Sequence, residues 1–272
     1  MRVLTWNMAY MKPGRYKAAA NRRRQWALLG AIAPDIALRQ ECRPSDLASL
    51  APAWMVDEYE LVGPLPGGQV AGSVVLARRQ YHPAPLEPGR VPAREQGWLD
   101  FFAGYVSTAT LRLAHGEVTA ASVHANAGEV TSPAVSDADH AEAKRPSLRR
   151  SHNNDLAAAA LRPLTAQTSF LIGGDWNSAL LFDTAYPSIA PASAEFFAAR
   201  ASDGWHHALR KFEPREVRTY SEPRSGPYEL DHLFTDPTLH AALTSCHIVS
   251  DEAFRLLSDH SPVLAEFRST DA

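Results

Sequence analysis

Cysteine is scarce in this chain: its 272 residues include two, Cys42 and Cys246. Two thiols cannot build a disulfide framework, and their rarity fits a reducing compartment. Long apolar runs are missing as well, since none approaches the roughly 20 residues that span a bilayer. The first strand-like stretch, Arg2–Trp6, is not preceded by the basic start and apolar run of a secretory leader. Positive charge is not in excess. The formal net charge is -3, so no global basic field advertises nucleic acid, although a local one could serve. The sequence has no internal repeat or low-complexity tract. Gly63–Gly68 is rich in Pro and Gly but lacks the Gly-Lys-Ser/Thr ending of a phosphate loop, so it reads as a turn. These absences lead to the expectation of a soluble, cytoplasmic protein with no membrane span and no evident obligate protein partner.

Apolar residues make up 45% of the chain, enough for a large core. Period-two and apolar runs predict strands over Arg2–Trp6, Asp35–Glu41, Tyr59–Val62, Ser73–Ala77, Trp98–Leu113, Val118–His124, Thr168–Ile172, Arg218–Ser221, Leu230–Thr235, Ser245–Val249 and Pro262–Phe267. Helices are expected over Tyr16–Ala33, closed by Pro34; over Ser45–Leu50, capped by Ser45; and over Ser147–Leu161, ended by Pro163. Lys12–Arg15 reads as a turn, and Tyr81–Arg94 and Glu129–Lys144 as loops. Helices and strands alternate with no linker between them, which predicts one α/β domain over residues 1–272.

The stretch Phe170-Leu171-Ile172-Gly173-Gly174-Asp175-Trp176-Asn177 is where this scaffold meets chemistry. A buried strand runs out through two glycines, which permit a turn or a close approach. Asp175 and Asn177 are two apart, so they project together while Trp176 turns into packing. A carboxylate and an amide there can hold a hydrated metal or orient a water, or they can be plain turn residues. Other strand ends and late loops repeat the pattern with Asn7, Glu41, His124, Asp231 and the pair Asp259-His260. Each alone has a dull explanation, as a strand terminus, a solvated end or a core histidine. Polar groups recurring where apolar strands stop point instead to a catalytic site on a sheet scaffold.

The motifs Thr5-Trp6-Asn7, Pro34-Asp35-Ile36 with Gln40-Glu41, Gly174-Asp175-Trp176-Asn177, Leu230-Asp231-His232 and Ser258-Asp259-His260-Ser261-Pro262 run from residue 5 to residue 262. In kind and order they resemble the endonuclease/exonuclease/phosphatase family, which includes deoxyribonuclease I, apurinic-site endonucleases, sphingomyelinases and inositol-polyphosphate phosphatases. His124 resembles the deoxyribonuclease I branch more than the apurinic-site branch. The resemblance implies a four-layer sandwich: two mixed sheets face to face, helices outside, and the site at one end. It implies Mg²⁺ (or Mn²⁺) held by Glu41 with Asn7, and Asp259 as a further ligand candidate. It implies that Asp175 and Asn177 hold the water and the scissile phosphate. It implies that His260, oriented by Asp231, acts on the water or stabilises the phosphorane charge, and that His124 faces the phosphate; either Asp175 or His260 takes the water's proton. Phosphoester hydrolysis needs this set: a Lewis acid, a polarised water and donors for the developing charge.

The function implied is a divalent-metal-dependent phosphodiesterase acting on nucleic acid. The alternatives are a hydrolase of small phosphorylated molecules or lipid headgroups, and a binding module on the same fold. Arg39 and His232 depart from the family pattern, and His124 has no assigned partner beyond the distant Glu95. No histidine pair has zinc spacing. Cys42 reads as a packed residue, and Arg22–Arg24 as a solvated face. Lys144, Arg145, Arg149 and Arg150 form a local basic run, either a phosphate-contacting rim or a second solvated face.

Overall fold

The first strand, β1 (Arg2–Asn7), is buried at every position after its first. A strand of that kind must be covered on both faces, and the chain covers it with a second sheet on one side and helices on the other. The computed structural model describes residues 1–10, 14, 18–63, 70–114, 116–186, 192–221 and 226–268. β1 belongs to a six-stranded sheet with β2 (Ile36–Cys42), β3 (Tyr59–Val62), β4 (Gly72–Arg78), β10 (Leu243–Ile248) and β11 (Val263–Phe267), ordered β10-β11-β1-β2-β4-β3. The second sheet has five strands, β5 (Val106–Leu113), β6 (Gly116–His124), β7 (Ser169–Asp175), β8 (His206–His207) and β9 (Asp231–Thr235), ordered β5-β6-β7-β9-β8. Each sheet has one parallel pair, β1 with β2 and β6 with β7, so both are mixed.

Between the sheets lies one apolar layer, with Val3, Leu38, Val75, Leu171, Leu233 and Val263 in contact. On the outer face of the first sheet, α1 (Ala19–Ile32), α2 (Asp46–Leu50), α3 (Ala53–Glu58) and α10 (Glu252–Leu257) pack around Trp6, Trp26, Leu29 and Phe254. On the outer face of the second, α4 (Ala93–Phe101), α6 (Asn153–Thr165) and α8 (Ser193–Ser202) pack around Trp98, Leu156, Trp176 and Phe196. This is the four-layer α/β sandwich expected from the sequence. A polar link crosses the middle near the site end: Gln40 Nε2 donates to Ser122 Oγ at 2.9 Å, and Ser122 Oγ donates to Arg39 O at 2.9 Å.

Several local expectations change. The strand read over Trp98–Leu113 begins only at Val106, because Ala93–Phe101 is helical. Trp98 and Phe102, four apart, are buried together on one helical side, a spacing that the aromatic content of the stretch disguised. Part of the loop read over Glu129–Lys144 is a helix, α5 (Asp137–Ala143), started by a capping box between Ser136 and Asp139. The helix placed at Ser147 begins at Asn153 and carries Pro163 in its last turn. Ser45 precedes α2 without a side-chain cap bond. Residues 218–221 form no strand, only a bridge from Tyr220 to His260. In α1, Arg22 pairs with Asp46 at 2.7 Å while Arg23 and Arg24 are exposed. The turns read at 12–15 and 63–68 lie largely outside the described residues.

Gly174 explains why β7 needs glycine. A Cβ there would sit 1.8 Å from Val123 O, and its φ of +154° is one that L side chains rarely adopt. Gly174→Ala is therefore expected to cost more than about 3 kcal/mol. Gly97→Ala, in α4 with nothing within 4 Å of its Cβ, is expected to gain up to about 1 kcal/mol. Thermal melts of the two variants against the parent check both signs.

Candidate active site

The ends of β1, β2, β6, β7 and β9 deliver polar groups to one end of the sandwich. There they meet the loop between α10 and β11. A cleft of ≈ 430 Å³ opens over them, lined by Glu41, His124, Ala127, Asp175, Asn177 and His260 on its polar side. The loop is fixed from β1: Ser258 Oγ donates to Asn7 O at 2.7 Å, and Trp6 Nε1 donates to His260 O at 3.0 Å.

Asp175 is the hub. Its Oδ1 accepts from the Asn177 amide at 3.0 Å, and its Oδ2 accepts from Asn7 Nδ2 at 3.1 Å. Its Oδ2 also lies 3.6 Å from His260 Nε2 and 3.8 Å from His124 Nε2. Burial raises the Asp175 carboxyl above its ordinary range; Asp231 adds to this, while His260 and His124 oppose it. His260 Nδ1 donates to Asp231 Oδ2 at 2.8 Å. Burial alone would lower His260, but Asp231 and Asp175 outweigh it and push the imidazole up to about 10. At neutral pH His260 is thus an imidazolium with Nε2–H aimed toward Asp175.

Glu41 stands at the irregularity where the β2–β4 register shifts between Arg39 and Cys42, with φ +48°. Left-handed backbone is costly for a non-glycine residue. It turns the carboxylate into the cleft, where Oε1 lies 3.3 Å from Asn7 Nδ2 and 3.8 Å from His124 Nε2. His124 therefore finds its acidic neighbours in Glu41 and Asp175, not in Glu95. Asn177 is also left-handed, with φ +46°, and donates from Nδ2 to Ala125 O at 2.7 Å. Trp176 turns the opposite way and packs on Phe196, Trp205 and Phe234.

The fold thus brings Asn7, Glu41, His124, Asp175, Asn177, Asp231 and His260 together. Asn7 is oriented by Ala9, whose amide donates to Asn7 Oδ1 at 2.9 Å, so it offers Nδ2 to the carboxylates. Asp259 is buried beside His260 and favours its imidazolium. Neither Asn7 nor Asp259 lines the cleft. Glu41 and Asp175 are the carboxylates that do so; they offer hard oxygen with no sulfur ligand beside them, donors suited to Mg²⁺ or Mn²⁺. Cys42 is buried, and burial raises its thiol, so it is the packed residue expected.

Sequence reading missed the opposite wall. Phe182, Tyr186, Tyr220, Tyr228 and Leu230 line it. Phe182 and Tyr228 rings are 4.6 Å apart, and Tyr220 lies 4.9 Å from His260. Phe182 and Tyr186 are four apart, a helical spacing that could have marked them. The basic run was misjudged in part. Arg145 is buried, with Nε on Asp155 Oδ2 at 3.0 Å and Nη1 on Ala192 O at 2.9 Å. It is a structural cation, not a rim contact.

Solved structures with this fold include an AP endonuclease from Leishmania major, 17% identical with a TM-score of 0.67, covering 98% of this chain and 87% of that one. A 3' phosphatase from Neisseria, solved bound to a product DNA hairpin, is 20% identical with a TM-score of 0.68, covering 98% and 99%. An AP endonuclease from Archaeoglobus fulgidus is 17% identical with a TM-score of 0.66, covering 98% and 99%. No curated protein matches the chain by sequence. Residues 4–260, however, match the sequence profile of the Endonuclease/Exonuclease/phosphatase family. With these polar groups gathered at the end of a four-layer sandwich, that match assigns the chain to the endonuclease/exonuclease/phosphatase family.

Proposed function

We propose that this protein is a divalent-metal-dependent phosphodiesterase that cleaves nucleic acid. The observation that carries the reading is the row Asp231–His260–Asp175 beside Glu41, because it supplies a fixed cation, a buried carboxylate and a metal-type oxygen within one cleft. A divalent ion held by Glu41 would supply Lewis-acid stabilisation of the phosphate and leaving oxygens. The chain's own groups do the rest. His260 keeps its Nδ1 proton on Asp231 and presents Nε2–H to charge building on the phosphate. Asp175, its affinity for protons raised by burial, accepts the proton of the attacking water. Asn177 and His124 flank the position where the phosphate sits.

The aromatic wall supports a nucleotide unit as substrate, since every base has a face that can stack on Tyr or Phe. No Lys or Arg is among the described lining residues of the cleft. That observation also favours a second reading, hydrolysis of small phosphorylated molecules that need no cationic track. Incubation with Mg²⁺ and a panel of DNA, RNA, nucleotides and inositol phosphates tests the choice. Turnover of inositol phosphates with inert polynucleotides would overturn the first reading.

Tyr186 is 42% exposed, so its truncation should leave the fold alone. Tyr186→Ala is expected to raise KM for a DNA strand about tenfold, within the range of one lost base stack. The effect should vanish on a strand that is abasic at the stacking position. An equal loss on both strands would show that the wall does not hold a base.

A further inference from the structure

Asp231 and His232 are consecutive in an extended strand, so they leave β9 on opposite faces. Asp231 turns to the catalytic His260. His232 turns outward, 5.0 Å from the ring of Phe197 in α8. On the neighbouring strand, His207 pairs with Phe234, two residues beyond His232, and reaches the same outer side. His207 Nε2 and His232 Nδ1 are 2.8 Å apart. Glu229 completes the group: its Oε1 is 3.3 Å from His232 Nδ1 and 3.4 Å from His207 Nε2.

Hydrogen bookkeeping shows what this cluster lacks. His232 Nε2 lies 2.7 Å from Ser178 O, which can only accept, so Nε2 carries a proton, and in the neutral ring Nδ1 presents a lone pair. One proton, on His207 Nε2, then satisfies the contact between the two rings. Glu229 is fully buried, and its Oε2 is held by Arg210 Nη2 and by the Val217 amide at 2.8 Å. Its Oε1, aimed at the two imidazoles, accepts no hydrogen bond. A buried carboxylate oxygen facing a lone pair is costly. A divalent cation satisfies all three atoms at once.

We propose that His207, Glu229 and His232 form a zinc site that pins β8 and the residues before β9 to the outer face of the second sheet. Two imidazoles and one carboxylate, without hard-oxygen company, suit Zn²⁺ better than Mg²⁺. Ligand atoms around tetrahedral zinc lie roughly 3.3 Å apart given Zn–N and Zn–O of about 2.0–2.2 Å. Two of the three separations already have that value, and the third opens as the proton leaves Nε2. His207 then carries its proton on Nδ1 and gives up the long 3.3 Å bond from the Arg210 amide. The bond from His232 to Ser178 is the outer contact that fixes a ligating imidazole in one tautomer. A cleft of ≈ 380 Å³ lined by His207, Arg210, Lys211 and His240 borders the cluster on its His207 side. The site is separate from the phosphodiesterase reading and stands or falls without it.

Metal analysis of protein purified without chelator, in the Glu41→Gln background with millimolar Mg²⁺ present, tests the site. About one Zn²⁺ per chain is expected, with Tm raised about 5–10 °C by Zn²⁺ at a hundredfold excess over Kd. Both effects should be lost in His207→Ala and in Glu229→Gln. His207 sits at the cleft edge, so His207→Ala remains informative if Glu229→Gln fails to fold. Co²⁺ added alone should give the absorption of a four-coordinate site, absent in His207→Ala. No retained zinc in the parent, or zinc undiminished in a folded His207→Ala, overturns the proposal.

Discussion

His260→Ala is expected to lower kcat by about 10²–10⁴, the usual range for a group that moves or holds a proton at the reacting centre. Asp231→Ala should fall in the same range, although Asp231 is fully buried and does not line the cleft. It acts through His260 Nδ1, 2.8 Å away. The double variant should lose little more than the worse single one, because removing either partner already dissolves the pair. Independent, additive losses would separate the two residues. The pH profile carries a second signature. With the imidazolium pushed up to about 10, activity that depends on His260 Nε2–H should persist through neutral pH and fall only as pH passes that value. Asp231→Asn removes the charge that raises His260, so the alkaline limb should move down. The same raised value acts on stability: the contribution is full below the ordinary imidazole value of about 6.5 and is lost as pH rises through about 10. An alkaline limb unmoved by Asp231→Asn would mean that another group controls it.

What was legible beforehand follows a physical division. Asn7, Glu41, His124 and Asp175 could be found because they end apolar strands, and a strand end is visible in one dimension as the place where apolar residues stop. Asp175 and Asn177 do meet at the cleft, but not by the extended-chain rule: Asn177 lies beyond β7 with left-handed backbone at φ +46°, and its amide donates to Asp175 Oδ1. The aromatic wall escaped, since Phe182, Tyr186, Tyr220 and Tyr228 come from three separate stretches joined only by folding. His207, Glu229 and His232 escaped for the same reason. No local spacing relates His207 to His232; the antiparallel register of β8 on β9 does. Arg145 misled because a basic run reads as surface, yet its partner Asp155 is a buried residue in the first turn of α6. Charge in sequence does not report burial, and a buried cation with a carboxylate partner is a packing element. The helix over Ala93–Phe101 was hidden by aromatic residues that favour strands in isolation, until packing on α6 decided the matter.

Glu41→Gln is expected to remove the response to divalent metal and to lower kcat/KM by about 10³ or more, the scale of several kcal/mol of Lewis-acid stabilisation. Activity in the parent should vanish in excess chelator and return with Mg²⁺ or Mn²⁺; full activity with the metal stripped would defeat the metal reading altogether. Stability gives an independent check on why the residue is there. Glu41 is buried, left-handed at φ +48°, and sits at an irregularity in β2. Holding a non-glycine residue there costs on the order of 1–3 kcal/mol. A residue kept for the fold would not be placed so. Glu41→Gly relieves the backbone and removes a buried charge, at a cost of roughly 0.5–1 kcal/mol in unfolded-chain entropy. It should therefore be inactive yet as stable as the parent or more so, by about 1 kcal/mol. Denaturant melts of the parent, Glu41→Gln and Glu41→Gly, run beside the metal titrations, read both quantities. A large loss of stability in Glu41→Gly would make Glu41 a structural residue and take the metal assignment with it.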